Sequence, residues 1–158
     1  MGRIADAVRC ARNRLEPARI GCGVGREERL VFNRRYLMKP GTVPPDLLGG
    51  TTDTVWSNPG IGNPNVIRPA GPVDPDVGVI AVEALDGRPI FVVGNYALHY
   101  MGDVAPGHIS ADYFGAWAHA MAEIAGVAGG SRFPPFVAML TNGCSGDINN
   151  VDVMKGAR

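Results

Sequence analysis

The chain has 158 residues, 46% hydrophobic and 19% charged, which suits one globular domain with a sizeable core rather than a disordered chain. Fifteen basic residues balance fifteen acidic ones, so the charge gives no footprint for a nucleic-acid partner. No stretch approaches the roughly twenty apolar residues of a membrane-spanning helix, and the three cysteines form no CxxC pair, which excludes a zinc knuckle and leaves buried free thiols as the expectation.

In residues 4–16 the side chains of Ile4, Ala7, Val8, Ala11 and Leu15 fall on one stripe at helical spacing, and Pro17 stops the helix. Arg3, Asp6, Arg9 and Arg12 break up any apolar leader, so the expectation for the product as written is the cytoplasm. Residues 19–24 alternate weakly and read as a short strand. Arg34, Arg35 and Lys39 form a short basic cluster that reads as a solvated face. Residues 40–75 hold eight prolines and six glycines, Pro44-Pro45, Gly49-Gly50 and Asn58-Pro59-Gly60 among them. Such a run sustains neither helix nor central strand and reads as one long loop, a kind that is usually functional.

Beyond it the pattern is regular. Residues 77–85 read as a strand, Asp86-Gly87 as a hairpin turn, and residues 89–97 as the return strand. The run Ile90, Phe91, Val92, Val93 implies burial on both faces. Ser110 is placed to cap a helix that carries Asp112 in its first turn, where a carboxylate suits the helix dipole. That helix runs to about residue 124 and ends before Gly126. Residues 136–140 read as a third buried strand, which opens into Thr141-Asn142-Gly143-Cys144-Ser145-Gly146-Asp147. The fold class is therefore α/β, a layered mixed sheet with flanking helices.

Two places could carry chemistry, both at strand ends. His99 follows an apolar strand, a rigid position that suits a metal ligand or general base, although a lone histidine there is more often structural. Residues 143–151 form a small-residue turn whose glycines allow close backbone approach and whose amides, Asn149 and Asn150, can orient an oxygen; a plain strand-to-helix turn has the same composition. Ser145 does not make a nucleophile elbow, because that pattern needs glycine where Asp147 stands.

Taken together, Asp74-Pro75-Asp76 before a strand, Asn95 to His99 closing the next, Ile109-Ser110-Ala111-Asp112 opening a helix, and Asn142 to Asn150 resemble the neutral/alkaline ceramidase family in order and spacing. The opening helix and Asn33-Arg34 are similar to the family as well, so the resemblance spans residues 4–153. It implies that the chain, as a single partial domain over residues 1–158, is part of a larger catalytic domain, and that His99 is a zinc ligand. It implies metal-assisted hydrolysis of an N-acyl amide such as ceramide, with Arg34 and the amides of Asn149 and Asn150 holding the substrate oxygen. Full-length members of the family are often secreted or membrane-associated.

The departures are specific. The family's first zinc histidine lies in a Thr-His-Thr-His-Ser segment that this chain lacks, and a glutamate and a tyrosine ligand come from far downstream. Where the family reads Gly-Asp-Val-Ser-Pro-Asn, this chain reads Gly146-Asp147-Ile148-Asn149-Asn150-Val151, so Asn149 replaces an essential serine, and an amide cannot form an acyl-enzyme. His108 and His119 match no ligand and read as ordinary. Two other readings follow: a non-catalytic relative that keeps the fold for binding, and a hydrolase using Ser145 or Cys144 with His99 as base. On the zinc-hydrolase reading, the missing parts of the domain or another subunit are needed as partners.

Overall fold

Asp86 and Gly87 turn the chain between two long antiparallel strands, and the main sheet grows outward from that hairpin. Gly87, at φ +85°, takes the left-handed conformation and donates its N–H to the Ala84 carbonyl at 3.0 Å. The structure is a computed structural model and describes residues 2–100, 102, 104–129 and 135–155.

Helix α1 (Gly2–Arg12) leads into strand β1 (Ala18–Arg26). Three short strands follow, β2 (Phe32–Asn33), β3 (Arg35–Met38) and β4 (Val55–Ser57), then β5 (Val66–Pro69). The hairpin is β6 (Asp76–Ala84) and β7 (Pro89–Tyr96), followed by helix α2 (Asp112–Ile124), β8 (Val137–Asn142) and β9 (Ile148–Asn149). The four-stranded sheet runs β1-β6-β7-β8, with β7 and β8 parallel and the other pairs antiparallel. It is the mixed α/β sheet that the sequence pattern predicts. Strand β1 is longer than residues 19–24, because it pairs with β6 from Ala18↔Ala84 to Arg26↔Asp76.

Side chains alternate across a strand, so the pairing register sorts the sheet into two faces. Val77, Val92, Gly94, Tyr96 and Leu140 share the face that α2 covers, where Tyr113, Phe114 and Trp117 pack against the buried cluster of Val31, Tyr96, Leu98, Leu140 and Ile148. A Cβ at Gly94 would stand 2.8 Å from both Trp117 Cζ2 and Leu140 Cδ1, so glycine there lets the helix approach the sheet. The opposite face carries Ile20, Val24, Ile80, Val82, Phe91, Val93, Val137 and Met139. Ile20 is 76% exposed and Met139 47%.

Burial on both faces is therefore not what the structure has. Of the run 90–93 only Val92 is buried, and in β8 only Leu140. Helix α2 lies on one face alone, and on the other the end of α1 borders an open cavity of about 460 Å³ beside Val82, Phe91 and Val137 without filling it. The α1 stripe is likewise exposed, and the helix ends at Arg12 with residues 13–14 in a turn. All three cysteine thiols are exposed, contrary to the expected burial, since Cys22 sits on the open face and Cys10 on α1.

The interval 40–75 has no helix, as its prolines and glycines require. It contributes two edge strands, β4 and β5, that flank β3 in a three-stranded sheet. Here Tyr36, Met38 and Val153 form a second buried cluster, with Val43, Trp56 and Val66 against it.

Candidate functional site

The parallel pair β7 and β8 delivers two loops to one edge of the sheet, the place where open α/β sheets bind ligands. The loop holding His99 follows β7, and the turn 143–150 follows β8. They are tied directly. Gly143 donates its N–H to the Tyr96 carbonyl at 2.8 Å, and Asn142 Nδ2 donates to the Leu98 carbonyl at 2.6 Å. Tyr113 OH, from α2, donates to that same carbonyl at 2.6 Å. Burial pushes the Tyr113 phenol up, against the opposing effect of its bond with Asn142, so it remains a proton donor at neutral pH.

Helix α2 starts differently from expectation. Ala111, not Ser110, occupies the cap position, and no side chain caps the helix end there. The Ser110 hydroxyl accepts instead from the Asp112 N–H at 3.0 Å, and Asp112 sits at φ +52°. Its carboxylate accepts the Gly102 N–H at 2.9 Å and its neighbour Tyr113's N–H at 2.6 Å. A carboxylate in a strained conformation thus holds the loop that follows His99.

His99 is half-buried, with Nδ1 3.0 Å from the Tyr100 carbonyl oxygen. A carbonyl only accepts, so Nδ1 is the donor in this contact, and in a neutral ring the lone pair would lie on Nε2. A backbone partner that fixes the tautomer in this way is the usual support of a metal-binding histidine. The ring leans on Tyr100, with centroids 4.2 Å apart.

Asn149 stands opposite Phe32 in the β2–β9 pair. Its Oδ1 accepts the Val151 N–H at 3.0 Å, and its Nδ2 donates to Asn58 Oδ1 at 2.8 Å, which leaves one of the two amide hydrogens unassigned. Asn150 is half-buried beside it. A cavity of about 340 Å³ is lined by Asn58, Gly60, Ile61, Tyr100, Asn149 and Asn150 among others. Tyr100 therefore brings the His99 loop to the two asparagines, while His99 itself is not in that lining. Arg34 is not in it either. Its guanidinium donates to the Gly146 carbonyl, and its backbone N–H to the Asp147 carbonyl at 2.7 Å, so it braces the turn from behind.

Asn58 was missed at the level of sequence, and Asn33 stood out only as half of the Asn33-Arg34 pair, without its bond to Asp147. The signal for Asn58 was present in Asn58-Pro59-Gly60, because asparagine is among the few residues that accept a positive φ, here +53°. Neither the Ser145 hydroxyl nor the Cys144 thiol is hydrogen-bonded to His99 among the described residues. No three His, Cys, Asp or Glu side chains among the described residues cluster as a metal site. Among the described residues His99 is thus a single candidate ligand, and those residues do not form a complete zinc site.

No protein-family model matches the chain, and no curated protein does. Among solved structures, the neutral ceramidase from Pseudomonas aeruginosa is similar over 98% of this chain and 21% of its own, at 22% identity and a TM-score of 0.58. A ceramidase complexed with C2 is similar over 89% of this chain and 18% of its own, at 23% identity and a TM-score of 0.54. At these identities the likeness shows the fold. This chain has the fold of one portion of those ceramidases and spans about a fifth of their length.

Proposed function

We propose that the chain is the strand-end portion of a zinc-dependent amidohydrolase domain that acts on an N-acyl amide, a lipid such as ceramide included. The observation that carries this reading is the fold, shared over nearly the whole chain with two ceramidases, together with the meeting of the His99 loop and the Asn149-Asn150 turn at one edge of the sheet. In this reading His99 contributes one ligand to zinc through Nε2, and polypeptide outside residues 1–158 supplies the others. No hydrolytic step is assigned to the chain by itself.

What its own residues do is bind and orient. The remaining N–H of Asn149 and the amide of Asn150 are donors for a carbonyl oxygen at the cavity, and Tyr100 and Ile61 give that oxygen's neighbours an apolar wall. Arg34 keeps the turn in place through the Gly146 carbonyl, and the other N–H groups of its guanidinium are donors for the substrate oxygen in this reading.

One observation favours the second reading, a relative that binds without catalysis. Asn149, in the position of the family's serine, already spends its oxygen on Val151 and one hydrogen on Asn58, as a fixed binding group does. Amide hydrolysis by protein that joins this segment to the remaining ligands separates the possibilities. Turnover lost both to a chelator and in His99→Ala supports the metal reading. Turnover that survives both, and stops only with a serine- or thiol-directed reagent, overturns it in favour of Ser145 or Cys144. Binding of a short N-acyl amide without turnover establishes the non-catalytic relative.

A further inference from the structure

Asn33 is the buried polar side chain of the described core, 2% exposed. Burying an amide is costly unless its bonds are made, and here they join its own segment to two others far off in sequence. Its Nδ2 donates to Asp147 Oδ2 at 2.8 Å and to the Pro72 carbonyl at 3.2 Å, and its Oδ1 accepts the Arg35 N–H at 2.9 Å. Gly71 lies close over the junction: a Cβ there would stand 3.0 Å from Asn33 Nδ2 and 3.7 Å from Asp147 Oδ2. Glycine 71 is thus fixed by close approach rather than by turn geometry.

The junction lies two residues from the candidate site. Asn33 pairs with Ile148 across the β2–β9 ladder, and Ile148 donates its N–H back to the Ser145 carbonyl at 3.1 Å to close the turn. Holding Asp147 on one side and Ile148 on the other leaves the turn one way to present Asn149. From this geometry we infer that Asn33 is a positioning residue: acting through Asp147, it sets the orientation of the Asn149 and Asn150 side chains at the cavity, and Gly71 is the contribution of the long loop to the same device. The functional weight of this inference rests on the reading that those two amides work at the site; the positioning itself does not.

The test therefore uses neither substrate nor metal. In the full chain, Asn33→Asp sets a carboxylate against Asp147, and the double variant Asn33→Asp with Asp147→Asn restores a donor–acceptor pair of reversed sense. The readouts are the side-chain amide resonances of Asn149 and Asn150 and hydrogen exchange of the turn. Asn33→Asp is expected to shift those resonances and speed exchange at Asn149 by about tenfold or more, as loss of a bond to a charged acceptor implies, while the Tyr36 and Met38 signals stay. The double variant returns both readouts toward the parent. Gly71→Ala, a single methyl, serves if Asn33→Asp fails to fold, and is expected to shift the same resonances in a smaller degree. Return in the double variant is partial, because a carboxylate at position 33 has no hydrogen for the Pro72 carbonyl; unmoved Asn149 and Asn150 resonances in folded Asn33→Asp or Gly71→Ala overturn the inference and leave Asn33 a core amide only. Failure of hydrolysis with these shifts intact would count against the amidohydrolase reading and not against the positioning.

Discussion

Residues 2–26 and residues 31–38 are nearly adjacent in sequence and behave oppositely. Every residue of the first stretch is exposed, Ile4, Val8, Leu15, Ile20 and Val24 included, while the second buries Val31, Asn33, Tyr36 and Met38. Apolar periodicity is clear in the helix of the first, weak in its strand, and almost absent in the second. Periodicity tells which face of an element needs cover; it does not supply the cover. The short strands β2 and β3 are buried because β9, β4, β5 and the loops around them close on both sides, and β1 is exposed because it meets only β6.

That contrast can be broken by truncation. Leu98→Ala removes a side chain from the main core and is expected to cost about 2–5 kcal/mol, whereas Ile20→Ala or Val24→Ala should stay within about 0.5 kcal/mol. Denaturant unfolding measures all three, and a cost at Ile20 equal to that at Leu98 would show that the open face is covered in solution. Next in size, Gly94→Ala drives a methyl against Trp117 and Leu140 and should destabilise by about 1–3 kcal/mol, while Gly23→Ala, with nothing near it, should not. Smaller again, Tyr113→Phe removes one of two donors to the Leu98 carbonyl and should cost about 1 kcal/mol, seen as faster exchange in the His99 loop.

The smallest effect concerns Glu27, at the boundary between the two stretches. Its carboxyl is held down from the usual 4.5 to about 2, first by the Arg29 side chain and then by the Arg29 N–H. A depressed carboxyl favours the folded state above its unfolded value, so this contribution is complete above pH 4.5 and fades as pH falls toward 2. A carbon-detected titration of the Glu27 carboxyl checks it, and Arg29→Ala should return the midpoint toward the ordinary value.

Much of the fold was legible because its signals were local. Asp86-Gly87 marked the hairpin, Gly126 at φ +69° the end of α2, and the proline-rich interval the absence of helix. The site was legible only in part. His99 and Asn149 could be read as strand-end residues, but the parallel pairing of β7 with β8 that brings their loops together is a long-range event no local pattern states. Asn58 and the bond of Asn33 to Asp147 were hidden for the same reason: the partners lie 91 and 114 residues away, at Asn149 and Asp147. The bond of Arg34 to a backbone carbonyl of the turn, 112 residues away, was equally out of reach of any local pattern.

The central claim is that His99 offers Nε2 to a metal beside the Asn149-Asn150 turn. A titration of the chain with cobalt, a paramagnetic stand-in for zinc, followed residue by residue by nuclear magnetic resonance, tests it most directly. The account predicts weak binding, because one ligand of a set is present, with His99, Tyr100, Asn149 and Asn150 broadening together and the effect gone in His99→Ala. Broadening centred on the His119–Glu123 pair or on Cys144, with His99 and Asn149 unchanged, would contradict it.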